Sequence, residues 1–348
     1  MQYIGLDLGK TSSQICILTE DGEVIERRIK TEREQYAKLL GQRPQSRILL
    51  EASTESEWVA RLLEEMGHEV VVADPNFAPM YATRSKSIKT DKRDARALCE
   101  ACRLGAYRRA HRTSDAQRHI RAQLSVRDAL VTTRSKYITL IKSLLSREGW
   151  RTSSGSSKTF VERVRALQLP PELLEESAPL LVLLEALNQE IAKADAHLEE
   201  MVEEDETIKR LTSVPGVGKV TATAFVAAVD EVERFNSAKQ LRSYFGLVPR
   251  EYSSGERRQR GRINKAGSAR IRSLLVEVAW GIISKREQPA TKALREWAMR
   301  IAARRGKQRG AVALARKLAG ILYAMWRDKT VFSGERANEA VKQRALAA

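Results

Sequence analysis

The sequence predicts an α/β domain followed by all-α units, and three observations carry that reading. Residues 1–105 alternate strand and helix patterns, whereas from Ser114 onward apolar positions recur at helical spacing. The first strand pattern, "YIGLDLGK", sets a carboxylate, Asp7, among Ile4, Leu6 and Leu8. A buried charge there would be costly without a partner, most often a metal ion. The chain of 348 residues carries 61 Lys and Arg against 44 Asp and Glu, a net of +17, which favours a polyanionic partner.

In chain order, strand patterns cover Gln2–Gly9, Ser13–Thr19, Val24–Ile29, Arg47–Glu51 and Glu69–Ala73. Asp21-Gly22, between the second and third, is a hairpin signal. Helix patterns cover Arg33–Leu40, Thr54–Met66 and Asp91–Gly105, with Asp91 opening the last and Gly105 stopping it. The order βββαβαβα is that of a mixed sheet in the ribonuclease H style. In such a sheet the first strand is central and the fourth lies parallel beside it.

Ser114–Trp150 reads as one long helix through Leu124, Ala129, Val131, Ile138, Ile141 and Leu145. "RTSSGSSK", Arg151–Lys158, is a polar turn or linker. Pro170-Pro171 then opens a second long helix, broken or bent near Pro179. Two such helices form a hairpin or coiled coil, serving either as a spacer or as an arm that pairs subunits. Glu172–Glu206 holds twelve acids and one base, Lys193, so the basic surface is concentrated elsewhere. Residues 207–330 read as a third, mainly helical unit. The expected domains are therefore 1–112, 113–206 and 207–330, with a loosely ordered tail at 331–348.

Composition also excludes classes. No apolar run reaches the roughly eighteen residues of a membrane span, and no signal peptide is expected. Three cysteines, Cys16, Cys99 and Cys102, suit a reducing, cytoplasmic compartment. The spacing of Cys99 and Cys102 is ligand-like, but no second Cys or His pair completes a zinc site, so they read as small buried thiols. The four histidines are scattered and offer no catalytic grouping.

The expected chemistry lies with carboxylates. Asp7 is in the first strand, and Glu51 ends the apolar run Ile48-Leu49-Leu50 in the fourth. Asp91 and Asp94, three apart, share one face of a helix's first turn. Four carboxylates converging repel one another, and two Mg²⁺ or Mn²⁺ ions relieve that repulsion. Paired metals serve displacement at phosphorus. In the plainer reading, Asp91 and Asp94 are a helix cap and a surface ion pair, and Glu51 is an ordinary strand-end acid. Actin-like sugar kinases also open with a strand ending in Asp-Leu-Gly, but they repeat that signal in a second domain, and this chain does not.

The basic half carries further candidates. Val214-Pro215-Gly216-Val217-Gly218 before an Ala/Val-rich helix resembles a helix-hairpin-helix. Gly216 and Gly218 would let the backbone approach a phosphate, and Lys219 adds charge; a plain turn between packed helices is the alternative. Arg250–Arg272 holds eight bases and two acids, including Arg257, Arg258, Arg260 and Arg262. Met299–Arg327 holds eight bases and no acid. Such stripes suit phosphate contacts or are solvated helix faces. Bases Arg84, Lys86, Lys89, Lys92 and Arg93 crowd the expected metal site. Within the Arg250–Arg272 stripe, Tyr252-Ser253-Ser254-Gly255 offers a hydroxyl amid guanidiniums, either a nucleophile or an ordinary turn serine.

Taken together, "YIGLDLGK", "LLEAS", "KTDKRDARAL", "VPGVG" and "FGLVPREYSSGERRQRGRINKAGSARIRSLL" resemble the DEDD transposases of bacterial insertion sequences. These are the bridge-RNA-guided recombinases related to the Piv-type pilin-gene invertases. The resemblance implies a RuvC-like N-terminal domain whose tetrad is Asp7, Glu51, Asp91 and Asp94, holding Mg²⁺ or Mn²⁺. It implies a coiled-coil linker and a C-terminal transposase domain with a nucleophilic serine, Ser254, with Ser253 one position earlier. It further implies a phosphoserine intermediate and a composite site in a dimer-to-tetramer assembly. A structured guide RNA would pair with target and donor DNA, in a prokaryotic cytoplasm, at the nucleoid during action. Two alternatives stand beside it: a Holliday-junction-type nuclease that uses water only, and a non-catalytic DNA-binding assembly protein.

Overall fold

The structure is a computed structural model describing residues 1–81, 90–254, 257–284 and 288–335. The chain divides into two compact units, Met1–Thr113 and Ser114–Ala348.

The first unit holds strands β1 (Gln2–Leu8), β2 (Ser12–Leu18), β3 (Val24–Lys30), β4 (Ser46–Glu51) and β5 (Glu69–Ala73). Its helices are α1 (Arg33–Leu40), α2 (Ser56–Glu65) and α3 (Asp91–Leu104). The sheet order is β3-β2-β1-β4-β5. β1 is central, antiparallel to β2 and parallel to β4, while β5 continues parallel to β4. The mixed sheet is consistent with a ribonuclease H-like domain.

Period-two alternation decides which face each side chain takes. Ile4, Leu6, Ile15, Ile17, Ile48, Leu50, Val70 and Val72 pack with Tyr36, Leu40, Val59 and Leu63 from α1 and α2. Leu49 and Val71 point the other way and meet Leu98, Ala101 and Cys102 of α3. Asp7 shares its parity with Tyr3 and Gly5, so it falls on the α3 face and is half-buried. The neighbours Ile4 and Leu6 belong to the opposite face, which is why apolar residues flank a carboxylate in sequence.

Helix α3 stops as its sequence suggests, with Gly105 at φ 66° as left-handed cap. The chain then returns along β5, where the Ala110 amide donates to the Val72 carbonyl at 2.8 Å. The Arg112 guanidinium closes this return by donating to both Glu57 and Glu64 of α2.

In the second unit, α4 (Asp115–Arg147) and α6 (Pro171–Met201) form an antiparallel arm, with a short helix α5 (Phe160–Arg165) between them. Pairings along the arm run Arg127 with Asp195, then Arg134 with Asn188 at 3.2 Å. At the arm's far end Ile141, Leu145, Phe160, Leu173, Leu181 and Leu184 make a separate apolar cluster. At its near end Ile120, Leu124 and Leu198 join the core of the helices that follow. Those helices are α7 (Glu206–Leu211), α8 (Lys219–Val229), α9 (Ala238–Tyr244), α10 (Ala269–Ser284), α11 (Lys292–Arg305) and α12 (Lys307–Arg327).

Between α9 and α10 lies a hairpin, β6 (Pro249–Ser254) and β7 (Arg257–Ile263), that helical periodicity does not announce. Its sequence is basic on both faces, so the alternation that marks the strands of the first unit is missing. Among the described residues no helix is long and apolar enough to cross a membrane.

Candidate active site

Asp7 and Glu51 are brought together by register. The parallel pairing of β1 with β4 runs from Gln2 opposite Ser46 to Leu6 opposite Leu50, and the next residue on each strand is Asp7 and Glu51. Both stand at carboxyl ends of neighbouring parallel strands, where α/β sheets collect ligands. The Thr90 side chain caps α3 by accepting from the Arg93 amide, which starts the helix at Asp91. Asp91 is exposed and Asp94 is only 7 % exposed, both within the first turn, where the helix dipole favours negative charge.

All four carboxylates line one cavity of about 540 Å³, together with Gly9, Ser12 and Tyr81. α3 reaches the sheet closely enough for this because β1 has no side chain at Gly5. A Cβ there would overlap the Ala95 carbonyl oxygen and the Cys99 amide nitrogen, and would sit 2.8 Å from the Cys99 Cα. On the outer side of α3, Glu26 of β3 pairs with Lys92 at 2.5 Å and Arg96 at 3.1 Å. Lys92 is thereby committed to Glu26, and Arg93 is exposed. Arg84, Lys86 and Lys89 lie outside the described residues.

Tyr81 is a site residue that the sequence does not disclose. It ends a 3-10 turn, Ala78–Tyr81, and its hydroxyl donates to the Glu51 carboxylate. The adjacent Met80 is buried with Val71 and Leu98 and seats the turn. Nothing in "NFAPMY" signals this, because the contact joins positions thirty apart.

Among the described residues, no group of three or more His, Cys, Asp or Glu forms a ready-made metal cluster. The donor set nevertheless suits the group in question: four carboxylates on one cavity are hard oxygen donors, appropriate to Mg²⁺ or Mn²⁺. The cysteines are elsewhere. All three are buried free thiols, and Cys16 and Cys99 pack together with Ala95. Burial pushes the Cys102 thiol up to about 12.

The remaining candidates lie in the second unit. Gly216 takes φ 91° in the turn before α8, and Gly218 is that helix's N-cap. Val214 and Val217 point into the core, while Gly216, Gly218 and Lys219 are exposed. Lys219 pairs with Glu199 at 3.0 Å on the surface. Ser254 is the last residue of β6, opposite Arg257, and Ser253 is opposite Arg258. Side chains from 252 to 260 lie outside the described residues, Arg257, Arg258 and Arg260 among them; Arg262 is exposed.

The root of this hairpin is well defined. Gly246 (φ 67°) and Gly267 (φ 69°) let the two chain segments touch, since a Cβ on either would overlap backbone of the other. One Arg272 nitrogen donates to the Phe245, Ala266 and Gly267 carbonyls at 3.1, 2.7 and 3.0 Å. The serine-bearing strand thus projects from a fixed base.

Residues 4–148 match the transposase family DEDD_Tnp_IS110, and residues 208–295 match the Transposase IS116/IS110/IS902 family. A "Probable family 20 transposase" of Pseudomonas aeruginosa is 31% identical over 341 residues, covering 95% of this chain and 98% of the relative. The "Transposase for insertion sequence element IS1111A" of Coxiella burnetii is 30% identical over 332 residues, 93% of this chain and 89% of the relative. A "Pilin gene-inverting protein" of Moraxella bovis is 33% identical over 124 residues, 35% of this chain and 37% of the relative. With its carboxylate-lined sheet end and these matches along nearly its whole length, the chain belongs to the DEDD transposases of the IS110/IS116/IS902 insertion-sequence family.

Proposed function

We propose that this chain cuts and rejoins DNA as an RNA-guided transposase of its insertion sequence, through Ser254 and a divalent-cation site. Asp7, Glu51, Asp91 and Asp94 would hold Mg²⁺ or Mn²⁺. The bound cations would supply electrostatic stabilisation of a phosphodiester undergoing displacement. The single observation that carries the reading is the shared cavity of those four acids, drawn from β1, β4 and the first turn of α3.

The chain's own residues do the rest. The Ser254 hydroxyl attacks phosphorus, forming a phosphoserine bond as the bond to one strand oxygen breaks. The guanidiniums of Arg257, Arg258, Arg260 and Arg262 offset the charge that develops. The α7–α8 turn acts as a helix-hairpin-helix, with Gly216, Gly218 and Lys219 against DNA backbone. The α4–α6 arm is a coiled coil through which copies assemble as dimers or tetramers, bringing one copy's acids to another's serine. A guide RNA pairs with target and donor DNA, so that base pairing supplies sequence choice while the protein reads shape and backbone.

The test is mass spectrometry of the chain trapped on nicked DNA with its RNA and Mg²⁺. An adduct on Ser254 is expected, lost in both Ser254→Ala and Asp7→Asn. One specific feature favours a second reading, a nuclease that uses water: all four acids lie in one compact unit. Cleavage that survives Ser254→Ala but not Asp7→Asn, with no adduct, decides for that reading.

A further inference from the structure

The end of the α4–α6 arm carries a second cavity, of about 570 Å³, remote in sequence from the carboxylates and unused by the proposed reaction. Its lining combines three cations, Lys142, Arg151 and Arg163, with one indole, Trp150, and a run of hydroxyls from Thr152 to Ser154. No carboxylate lines it. The abundant acids of α6 are therefore kept out of this basic place.

The cavity's wall is built rather than accidental. Gly149 at φ 78° turns the chain sharply after α4, and the Trp150 amide returns to the Leu145 carbonyl at 2.9 Å. Trp150 packs against the cluster of Ile141, Leu145 and Phe160, and it remains only half-buried. Arg163 pins the following loop by donating to the Ser153 carbonyl, to that of Ser156 at 2.7 Å and to that of Thr159 at 3.3 Å. Gly155 leaves the room for this, since a Cβ there would sit 2.8 Å from the Arg163 Nε. With Arg163 engaged by the backbone, Lys142 and Arg151 are the exposed cations of the lining.

A flat aromatic surface beside exposed cations and hydroxyl groups matches one ligand chemistry closely: a base to stack and a phosphate to neutralise. A duplex buries its base faces, so only an unpaired nucleotide can use the indole. We infer that the arm's end is a binding site for an unpaired nucleotide of a single-stranded nucleic acid, stacked on Trp150 with its phosphate held by Lys142 and Arg151. The inference does not rest on the chemistry of the acid cavity. Ribonucleotide and deoxyribonucleotide share this chemistry, and the experiment separates them.

The full-length chain is tested with two short fluorescent probes, oligouridylate and oligothymidylate, each in a form carrying a thio-substituted base for photocrosslinking. Crosslinks are expected on the peptide containing Trp150. Anisotropy titration is expected to show about a tenfold weakening in Trp150→Ala, partial recovery in Trp150→Phe, and a similar loss in the Lys142→Gln/Arg151→Gln double variant. The double variant changes exposed side chains alone, so it answers the question even where Trp150→Ala loosens the arm's end. Stronger crosslinking of the uridylate assigns RNA, and of the thymidylate DNA; either supports the site. Crosslinks that map only elsewhere, affinity within twofold of the parent in the double variant, or equal sensitivity with a fully duplex probe overturns it.

Discussion

Gly5 of β1 and Ala95 of α3 meet backbone to backbone, with no room for a methyl group between them. Two residues further along β1 stands Asp7, and one residue earlier on α3 stands Asp94. The closeness of sheet and helix at Gly5 therefore sets how near the acids of the two elements come. A substitution that forces α3 outward carries Asp91 and Asp94 with it.

Gly5→Ala is accordingly expected to lower stability by about 1–3 kcal/mol through overpacking. DNA cleavage should fall further than that loss alone would explain. Urea unfolding measures the first effect, and strand-cleavage assays at a temperature where the variant remains folded measure the second. A variant with parent-like cleavage would show that the α3 spacing is not critical.

Tyr81→Phe removes the hydroxyl that donates to Glu51 and little else. The expected outcome is a near-unchanged unfolding midpoint with Mn²⁺ affinity weakened about tenfold, as for other groups that orient a metal ligand. Electron paramagnetic resonance titration of Mn²⁺ reads affinity directly. Equal affinities in the two proteins would remove Tyr81 from the site's machinery.

The Arg112 clamp makes a pH-dependent contribution. Burial alone would raise the Glu57 carboxyl, but hydrogen bonds from Arg112 and Arg61 and their charges outweigh it and hold the group below the usual carboxylate range. A group depressed on folding stabilises at pH above its unfolded value, about 4.3, and loses that contribution as pH falls through the lower folded value. Donating to the Glu64 and Glu57 carboxylates holds Arg112 far above its ordinary value, so it stays charged throughout. Arg112→Ala should cost about 2 kcal/mol at neutral pH. The gap between parent and variant should close below about pH 4, as followed by urea unfolding across that window.

Arg272→Ala should release the base of the β6–β7 hairpin, since one guanidinium nitrogen serves three carbonyls there. Expected is a loss of about 1–3 kcal/mol, with Ser254 adduct formation falling by more than tenfold. Mn²⁺ binding, proposed for the acids of the other compact unit, should stay at the parent value. Adduct formation at the parent rate would mean that the hairpin does not need this anchor.

Much of the fold is legible in the sequence. Strand pattern placed β5 at Glu69–Ala73 and helix pattern placed α1 at Arg33–Leu40, because both are written in local periodicity. Gly105 as a left-handed stop and Pro171 as the first residue of α6 are likewise single-residue backbone preferences. The half-buried position of Asp7 was less clear, since reading it correctly needs the parity of the strand as well as the identity of its neighbours.

Residue order alone determined the βββαβαβα succession, the long arm helices and the spacing of Asp91 from Asp94, all of which depend on bonds and contacts within a few positions. Tertiary structure alone decided that Tyr81 meets Glu51, that Arg112 grips α2, that the basic Pro249–Ile263 segment pairs as a hairpin, and that Trp150 lines a cationic cavity. Each of these joins groups through space after the chain has closed a loop, and no local propensity records which distant partner that closure will supply.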